Sequence, residues 1–269
     1  MDKHTRFRQL HEAQGAFVIP NPWDIGTAKF LASLGFEALA TTSAGFAFSR
    51  GLPDGGVGFE AMIAHCREIA AAVDVPVSAD LENGKGDAPD DAAETIFAAS
   101  AAGLAGCSIE DSTGHASSPI YEFPHAVERV AAAVDAARSL KDDFVFTARA
   151  ENFLWGRPDL DDTIKRLQAF EAAGADVLYA PGLPDIETVR TLCAAVTKPV
   201  NVLAMPAMSV AALAEAGARR ISVGSKLTNA AFAAVEAAAR EMLDGGTFEF
   251  SRQVVSFARL QELFSGGER

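Results

Sequence analysis

Residues 101–109 (AAGLAGCSI), 172–180 (AAGADVLYA) and 215–223 (EAGARRISV) share one short plan: a helix end, a glycine, a tight turn and a buried strand. Glycine belongs at that place because helices commonly stop on a residue in the left-handed conformation. Each phrase reads as the half-unit of a parallel α/β structure, and not as a solenoid repeat.

Outward from these phrases, β-branched or apolar runs recur, each followed by a helix-like segment. The strand readings are 16–20, 38–42, 77–80, 107–110, 144–148, 177–180, 200–203 and 220–223, eight in all. Between them, Phe59, Met62, Ile63, Cys66, Ile69, Ala70 and Val73 follow the spacing of one apolar helix face. Asp161 is read as the N-cap of a helix over 162–173, with Gly174 as its stop. Gly35, Gly103 and Gly217 are further stops, and Pro184-Asp185 and Met208-Ser209 open later helices. Strand and helix alternating over short connections imply a parallel sheet covered by helices. Eight such units favour a closed (β/α)8 barrel of the TIM type. No GxGxxG follows the first strand, which counts against a dinucleotide fold. The barrel is expected over 1–246. Residues 247–269, with Val254, Val255, Phe257, Ala258, Leu260 and Phe264, form a further amphipathic helix with no place in a closed barrel. That extension is expected to pack on another subunit.

Composition narrows the partners. Of 269 residues, 49% are hydrophobic, ample for a core, and the net charge is −13. Nucleic-acid binding needs a basic face, and no Lys/Arg cluster occurs. Anionic membranes are disfavoured for the same reason, and no stretch approaches the length of a membrane span. Cys66, Cys107 and Cys193 lack metal-ligand spacing and fit a reducing cytoplasm, with Cys107 in the core.

The chemistry of a parallel barrel sits at the C-terminal strand ends. Asp80 and Glu82 close the third strand and share a face if the strand persists, and Glu110 closes the fourth. Carboxylates gathered so closely raise one another's pKa unless a cation or protons intervene. Mg²⁺ suits such oxygen donors, and Mn²⁺ fits the same set. Arg149, at the end of the fifth strand, offers a fork for a carboxylate or phosphonate, or a salt bridge to Glu110 or Glu151. Ser43-Ala44-Gly45 presents small residues and backbone N–H groups to an anion. Gly224-Ser225-Lys226 suggests a phosphate site, but residues 204–206 lack the matching glycines.

PNPWD (20–24), TTSAG (41–45) with GLPD (51–54), DLENG (80–84), SIED (108–111) and ARAE (148–151) stand in an order that resembles the isocitrate lyase/phosphoenolpyruvate mutase superfamily. The resemblance runs from about Asn21 to the C-terminal helix. It implies an α/β barrel that binds Mg²⁺ and a 2-oxo acid or its enolate. Asp80 would ligate the metal directly, with Asp54, Glu82 and Glu110 holding it largely through water. Trp23, Ser43, Ala44, Gly45 and Arg149 would contact substrate, alongside Asp80. The last helix would swap between neighbours in a homotetrameric dimer of dimers.

Departures bear on the reaction. The lyase branch's K-K-C-G-H loop and the mutase branch's D-K-x-F-P-K loop are both absent; residues 111–121 read DSTGHASSPIY. Position 82 is Glu where Asp is usual, and Lys85 replaces an aromatic. His115 and Tyr121 are the candidate proton donors of that loop, which is expected to act as a lid. Asn201, with Asn152 and Trp155, is expected to read the far half of the substrate. The resulting expectation is a Mg²⁺-dependent carbon–carbon lyase or decarboxylase on a 2-oxo or 2-hydroxy (di)carboxylate. The alternatives are a phosphonopyruvate-type mutase or hydrolase, and a non-catalytic 2-oxo acid binding protein.

Overall fold

The computed structural model describes residues 2–265. All eight expected strands form: β1 (Phe17–Ile19), β2 (Leu39–Ala40), β3 (Val77–Asp80), β4 (Gly106–Glu110), β5 (Val145–Arg149), β6 (Val177–Tyr179), β7 (Val200–Leu203) and β8 (Arg220–Ser222). They are joined in parallel in the order β1-β8-β7-β6-β5-β4-β3-β2. Between β1 and β2 the ring is closed by the Ala40 amide donating to the Pro20 carbonyl at 3.1 Å. The fold is the expected (β/α)8 barrel, nearly closed.

Eleven α-helices accompany the described strands: α1 (Lys3–Glu12), α2 (Ile25–Ser33), α3 (Ser43–Ser49), α4 (Phe59–Ala72), α5 (Pro89–Ala101), α6 (Phe123–Ser139), α7 (Leu160–Ala172), α8 (Ile186–Ala194), α9 (Val210–Glu215), α10 (Lys226–Arg240) and α11 (Phe257–Phe264). The glycine stops behave as read: Gly35, Gly103, Gly174 and Gly217 all have φ between 81° and 105°. Asp185 and Ser209 cap α8 and α9 through their side chains. The cap of α7 is Asp159, which accepts from the Asp162 amide, so the helix starts two residues before the position expected from Asp161. Both aspartates satisfy the composition of a helix start, and only backbone geometry separates them.

Alternation along each strand sorts the side chains. Ala79, Cys107, Ile109, Phe146, Ala148, Leu178, Val202 and Ile221 face the helices in the main core. Ser78, Asp80, Ser108, Arg149, Tyr179, Asn201, Arg220 and Ser222 line the barrel interior. The floor is plugged by α1, whose Phe7 joins Ile19, Ala38, Ala105, Val145 and Val177 in a smaller cluster. Arg8 ties α1 to the floor through Asp143 and Asp176 at 2.6 and 2.7 Å.

Gly106 shows how tight that floor is. A Cβ there would meet the Val145 carbonyl oxygen at 2.4 Å and Phe7 Cε1 at 3.0 Å. Gly106→Ala is therefore expected to destabilise the fold by about 3 kcal/mol, because a backbone carbonyl cannot step aside as a side-chain tip can. The midpoint of chemical denaturation measures this; an unchanged midpoint refutes the close packing.

Beyond α10 a widened turn (Glu241–Gly245) ends at Gly246, with φ 62°. In the extension, α11 lies on α2 of its own chain, with Arg259 over the Phe30 ring at 5.3 Å. Phe232, Val235, Leu243, Phe248, Val254 and Phe257 stay exposed, Leu243 at 83%. Residues 266–269 of the expected extension lie outside the described residues.

Candidate active site

Two cavities open at the C-terminal end of the barrel and share Ser43, Asp54, Arg149 and Leu154. The outer one, about 620 Å³, is walled by Glu82, Asn83, Glu110, Ser112, Gly114, Glu151 and Trp155. The inner one, about 170 Å³, descends past Asp80, Tyr179, Asn201 and Ser222 to Arg220.

Asp80 is held at both oxygens. Its Oδ2 accepts from the Ser43 amide at 3.1 Å and the Ser43 hydroxyl at 2.9 Å, and its Oδ1 faces Arg149 Nη1 at 3.3 Å. Its own amide donates to Thr41 Oγ1, which ties the strand end to β2. Arg149 gathers three acids: Nη1 faces Asp80 and Glu110, the latter at 3.2 Å, and Nε donates to Glu151. The salt-bridge reading of Arg149 therefore holds. It is salt-bridged, and its Nη2 has no protein acceptor among the described residues while the side chain lines both cavities.

Glu82 departs from its expected route. The strand ends at Asp80, and Glu82 sits beyond it with φ 51°, the only positive φ outside glycine among the described residues. It reaches the cavity through that left-handed turn and not by strand periodicity. A non-glycine residue held there stores strain of about 1–3 kcal/mol, which surrounding structure must impose. The Glu110 amide fastens the turn by donating to the Glu82 carbonyl at 2.9 Å. Asp54 arrives on the exposed loop after α3, with Oδ1 accepting from the Gly55 amide.

Five carboxylates (Asp54, Asp80, Glu82, Glu110 and Glu151) thus border the two cavities, and among the described residues Arg149 is the one guanidinium that pairs with any of them. The excess negative charge appears in their acidities. Burial and then the Asp80 and Asp54 charges push Glu82 up to about 7. Asp54 is raised by desolvation and by Asp80. Burial raises Glu110 and Glu151 too, although Arg149 opposes the shift in both. An oxygen-only donor set short of positive charge fits a hard divalent cation. Among the described residues, no three His, Cys, Asp or Glu side chains close on one point as direct ligands. Mg²⁺ commonly binds one or two carboxylates directly and reaches others through its waters.

Acids raised in the folded state stabilise it below their unfolded pKa and withdraw that support as pH rises through the folded pKa. For Glu82 the window runs from 4.5 to about 7. The Tm of metal-free protein is expected to fall from pH 5 to pH 8, and millimolar Mg²⁺ to reverse much of the fall. Glu82→Gln should flatten the slope in metal-free protein. A pH slope untouched by either change would contradict the charge excess.

The other expected residues divide. Ser43, Ala44 and Asn201 line the inner cavity. Gly45 is buried behind it in the first turn of α3, where its amide bonds Thr42 Oγ1 and a Cβ would strike Thr228 Oγ1 at 2.5 Å. The tripeptide is thus a helix start with two of its amides already engaged, and not an open nest. Trp23 lies half-buried at the head of α2 and is not among the lining residues. His115 is exposed at the tip of a hairpin closed by the Ser112–Ile120 bridge and by Thr113 bonding Ser118 and Pro119. The Tyr121 hydroxyl donates to Asp87 Oδ1 at 2.5 Å and accepts from Asn83, outside both cavities. Neither expected proton donor is brought to the cavity wall. The tyrosine that does line it is Tyr179, beneath the Arg149 guanidinium at 5.2 Å. Tyr179, Glu151, Leu154 and Arg220 were not singled out from the sequence as site residues. A polar or charged residue two positions from another inward strand residue was the available signal.

Comparison with known proteins agrees with the barrel fold. Residues 7–243 match the family model described as phosphoenolpyruvate phosphomutase. A solved structure from Burkholderia cenocepacia J2315, named as a lyase/mutase, is 52% identical with a TM-score of 0.96, covering 99% of this chain and 96% of that one. The structure of oxaloacetate acetylhydrolase with its product oxalate is 26% identical with a TM-score of 0.86, covering 97% and 93%. The 2,3-dimethylmalate lyase of Eubacterium barkeri is 30% identical over 66% of this chain and 63% of its own length. The chain belongs to the phosphoenolpyruvate phosphomutase family, within the PEP mutase/isocitrate lyase superfamily.

Proposed function

We propose that the chain is a Mg²⁺-dependent enzyme that cleaves a carbon–carbon bond, by lysis or decarboxylation, in a small 2-oxo or 2-hydroxy (di)carboxylate. The observation that carries this is the group of five carboxylates around one arginine, with Glu82 poised at about 7. Asp80 would ligate the cation directly, and Asp54, Glu82 and Glu110 through water. A divalent cation there supplies positive charge to the oxygen of a developing enolate. The chain's own groups do the remaining work. Arg149 offers Nη2 to the substrate carboxylate, and Ser43 keeps Asp80 in one orientation. Leu154, Pro181 and Leu203 line the inner cavity with apolar surface that displaces water.

A panel of 2-oxo and 2-hydroxy diacids, assayed for pyruvate or oxalate release with and without Mg²⁺, tests the reading. Turnover of at least one diacid with Mg²⁺ and none in EDTA is expected. The family match favours phosphorus–carbon chemistry as the second reading, and ³¹P NMR on phosphonopyruvate separates the two. Mg²⁺-dependent oxalate binding with no turnover anywhere would instead support a binding protein. For the assembly, we propose a homotetramer in which residues 247–269 and the exposed apolar side chains of α10 meet a second copy. Light scattering at the mass of a single 28.2 kDa chain would remove that proposal.

A further inference from the structure

Arg220 is a buried cation whose charge the protein does not balance. It is 4% exposed at the first position of β8 and lines the inner cavity. Nε donates to Asn201 Oδ1 at 2.9 Å and Nη2 to Thr147 Oγ1 at 3.0 Å, and Nη1 stands 3.4 Å from His11 Nε2. His11 Nδ1 lies 2.8 Å from the Phe7 carbonyl, which can only accept, so Nδ1 carries the proton and Nε2 accepts from Arg220. Burial holds His11 down at about 3, so the ring stays neutral. All three partners are therefore uncharged, and no carboxylate lies within 4.0 Å of Arg220 among the described residues.

The other arginines of the interior are resolved differently. Arg166 holds Asp111 and Asp162, and Arg149 holds its three acids. Arg129 is fixed by the carbonyls of Asn83, Gly86 and Ala88. Among the described residues, Arg220 is the arginine that lines the inner cavity with only neutral partners, and it uses three of the five N–H groups of a guanidinium. Burial pulls it down to about 10, which leaves it charged at neutral pH.

Register links this residue to the site above. Glu110, Arg149, Tyr179, Asn201 and Arg220 are successive partners across β4 to β8. Because barrel strands tilt, a line of registered partners descends as it runs around the wall. It leads here from the acids at the mouth to Arg220 at the floor. The cavity beside it, about 170 Å³, has room for roughly five waters or for one small anion with fewer.

We propose that Arg220, flanked by Asn201 and Ser222, forms an anion subsite at the floor of the inner cavity that takes one carboxylate-sized group. The occupant is either a free small anion or the far carboxylate of a diacid held at Arg149. The subsite stands without the metal reading; only its use by substrate rests on that reading.

Two arms test it. In metal-free protein, formate and bromide should raise the Tm saturably, and Arg220→Met should abolish the rise. Bromide-soaked crystals should show an anomalous peak within hydrogen-bonding distance of the Arg220 guanidinium. No peak there, together with a wild-type Tm that responds no more than the variant's, overturns the proposal. If Arg220→Met does not fold, Arg220→Lys is expected to keep part of the rise, and the bromide peak decides. In the second arm, with Mg²⁺ present, Arg220→Met is expected to weaken malate roughly 10-fold and leave oxalate unchanged if substrate is the occupant. Equal affinities beside a retained bromide site assign the subsite to a free anion. Failure of Mg²⁺-dependent oxalate binding in wild-type protein would count against the metal alone and leave the first arm intact.

Discussion

Asp80→Asn should yield a folded barrel that has lost Mg²⁺-dependent oxalate binding, with affinity down about 100-fold or more, since even supporting residues of metal sites cost 10–100-fold. Asparagine keeps the shape and can still accept from the Ser43 amide and hydroxyl, so the fold has little reason to respond. What disappears is the charge of the one carboxylate, among the five that border the cavities, buttressed at both oxygens in the described contacts, by Ser43 on one side and Arg149 on the other. Titration calorimetry with oxalate, with and without Mg²⁺, reads the effect, and circular dichroism confirms folding. Wild-type affinity or activity in this variant would remove the metal reading altogether.

Arg149→Met should cost both function and fold. Glu110 and Glu151 would stay buried without the cation that opposes their desolvation. Breaking a buried pair from one side typically costs about 3–5 kcal/mol. The sign with pH follows from the direction of the shifts: both acids are already raised, and loss of Arg149 raises them further. The variant should therefore be least stable at pH 8 and recover toward pH 5, where protons replace the missing charge. Turnover should fall about 100- to 1,000-fold, the usual scale for removing one preorganised donor to a developing charge. A variant as stable as wild type at pH 8 would mean that Glu110 and Glu151 are not held by Arg149.

The fold was legible because two periods dominate the chain. Alternation in 77–80 and 107–110 separates Ala79, Cys107 and Ile109, packed toward the helices, from Ser78, Asp80 and Ser108, turned inward. Glycine stops then marked where helices turn back into strands, and all four read that way adopt left-handed φ. The acids at the mouth were legible for the same reason, because strand ends in a parallel barrel share one rim. Glu82 was located correctly for the wrong reason: no periodicity foretells a left-handed glutamate just past a strand. Loop residues were the least legible. His115 and Tyr121 looked alike as titratable groups near a catalytic rim, and only hydrogen bonding shows that Tyr121 serves Asp87 and Asn83. Arg220 was read only as the start of the strand at 220–223 within EAGARRISV, and its place on the inner wall emerges from the pairing of β8 with Asn201 on β7. The helix α1 was likewise unreadable as a plug, since Phe7 and Leu10 are two apolar residues in a polar run.

The hairpin after β4 has both feet on one rung. Ser112 pairs with Ile120, and just outside that rung the Tyr121 amide donates to the Asp111 carbonyl while the Asp111 carboxylate is clasped by Arg166. Everything between the feet bonds only within itself among the described contacts, apart from the glycine amide that returns to Ser112. Residues 113–119 therefore form a cassette. Its content can be exchanged, lengthened or shortened without disturbing the rim beneath, so one scaffold is open to grafting a loop of different chemistry over an unaltered set of acids.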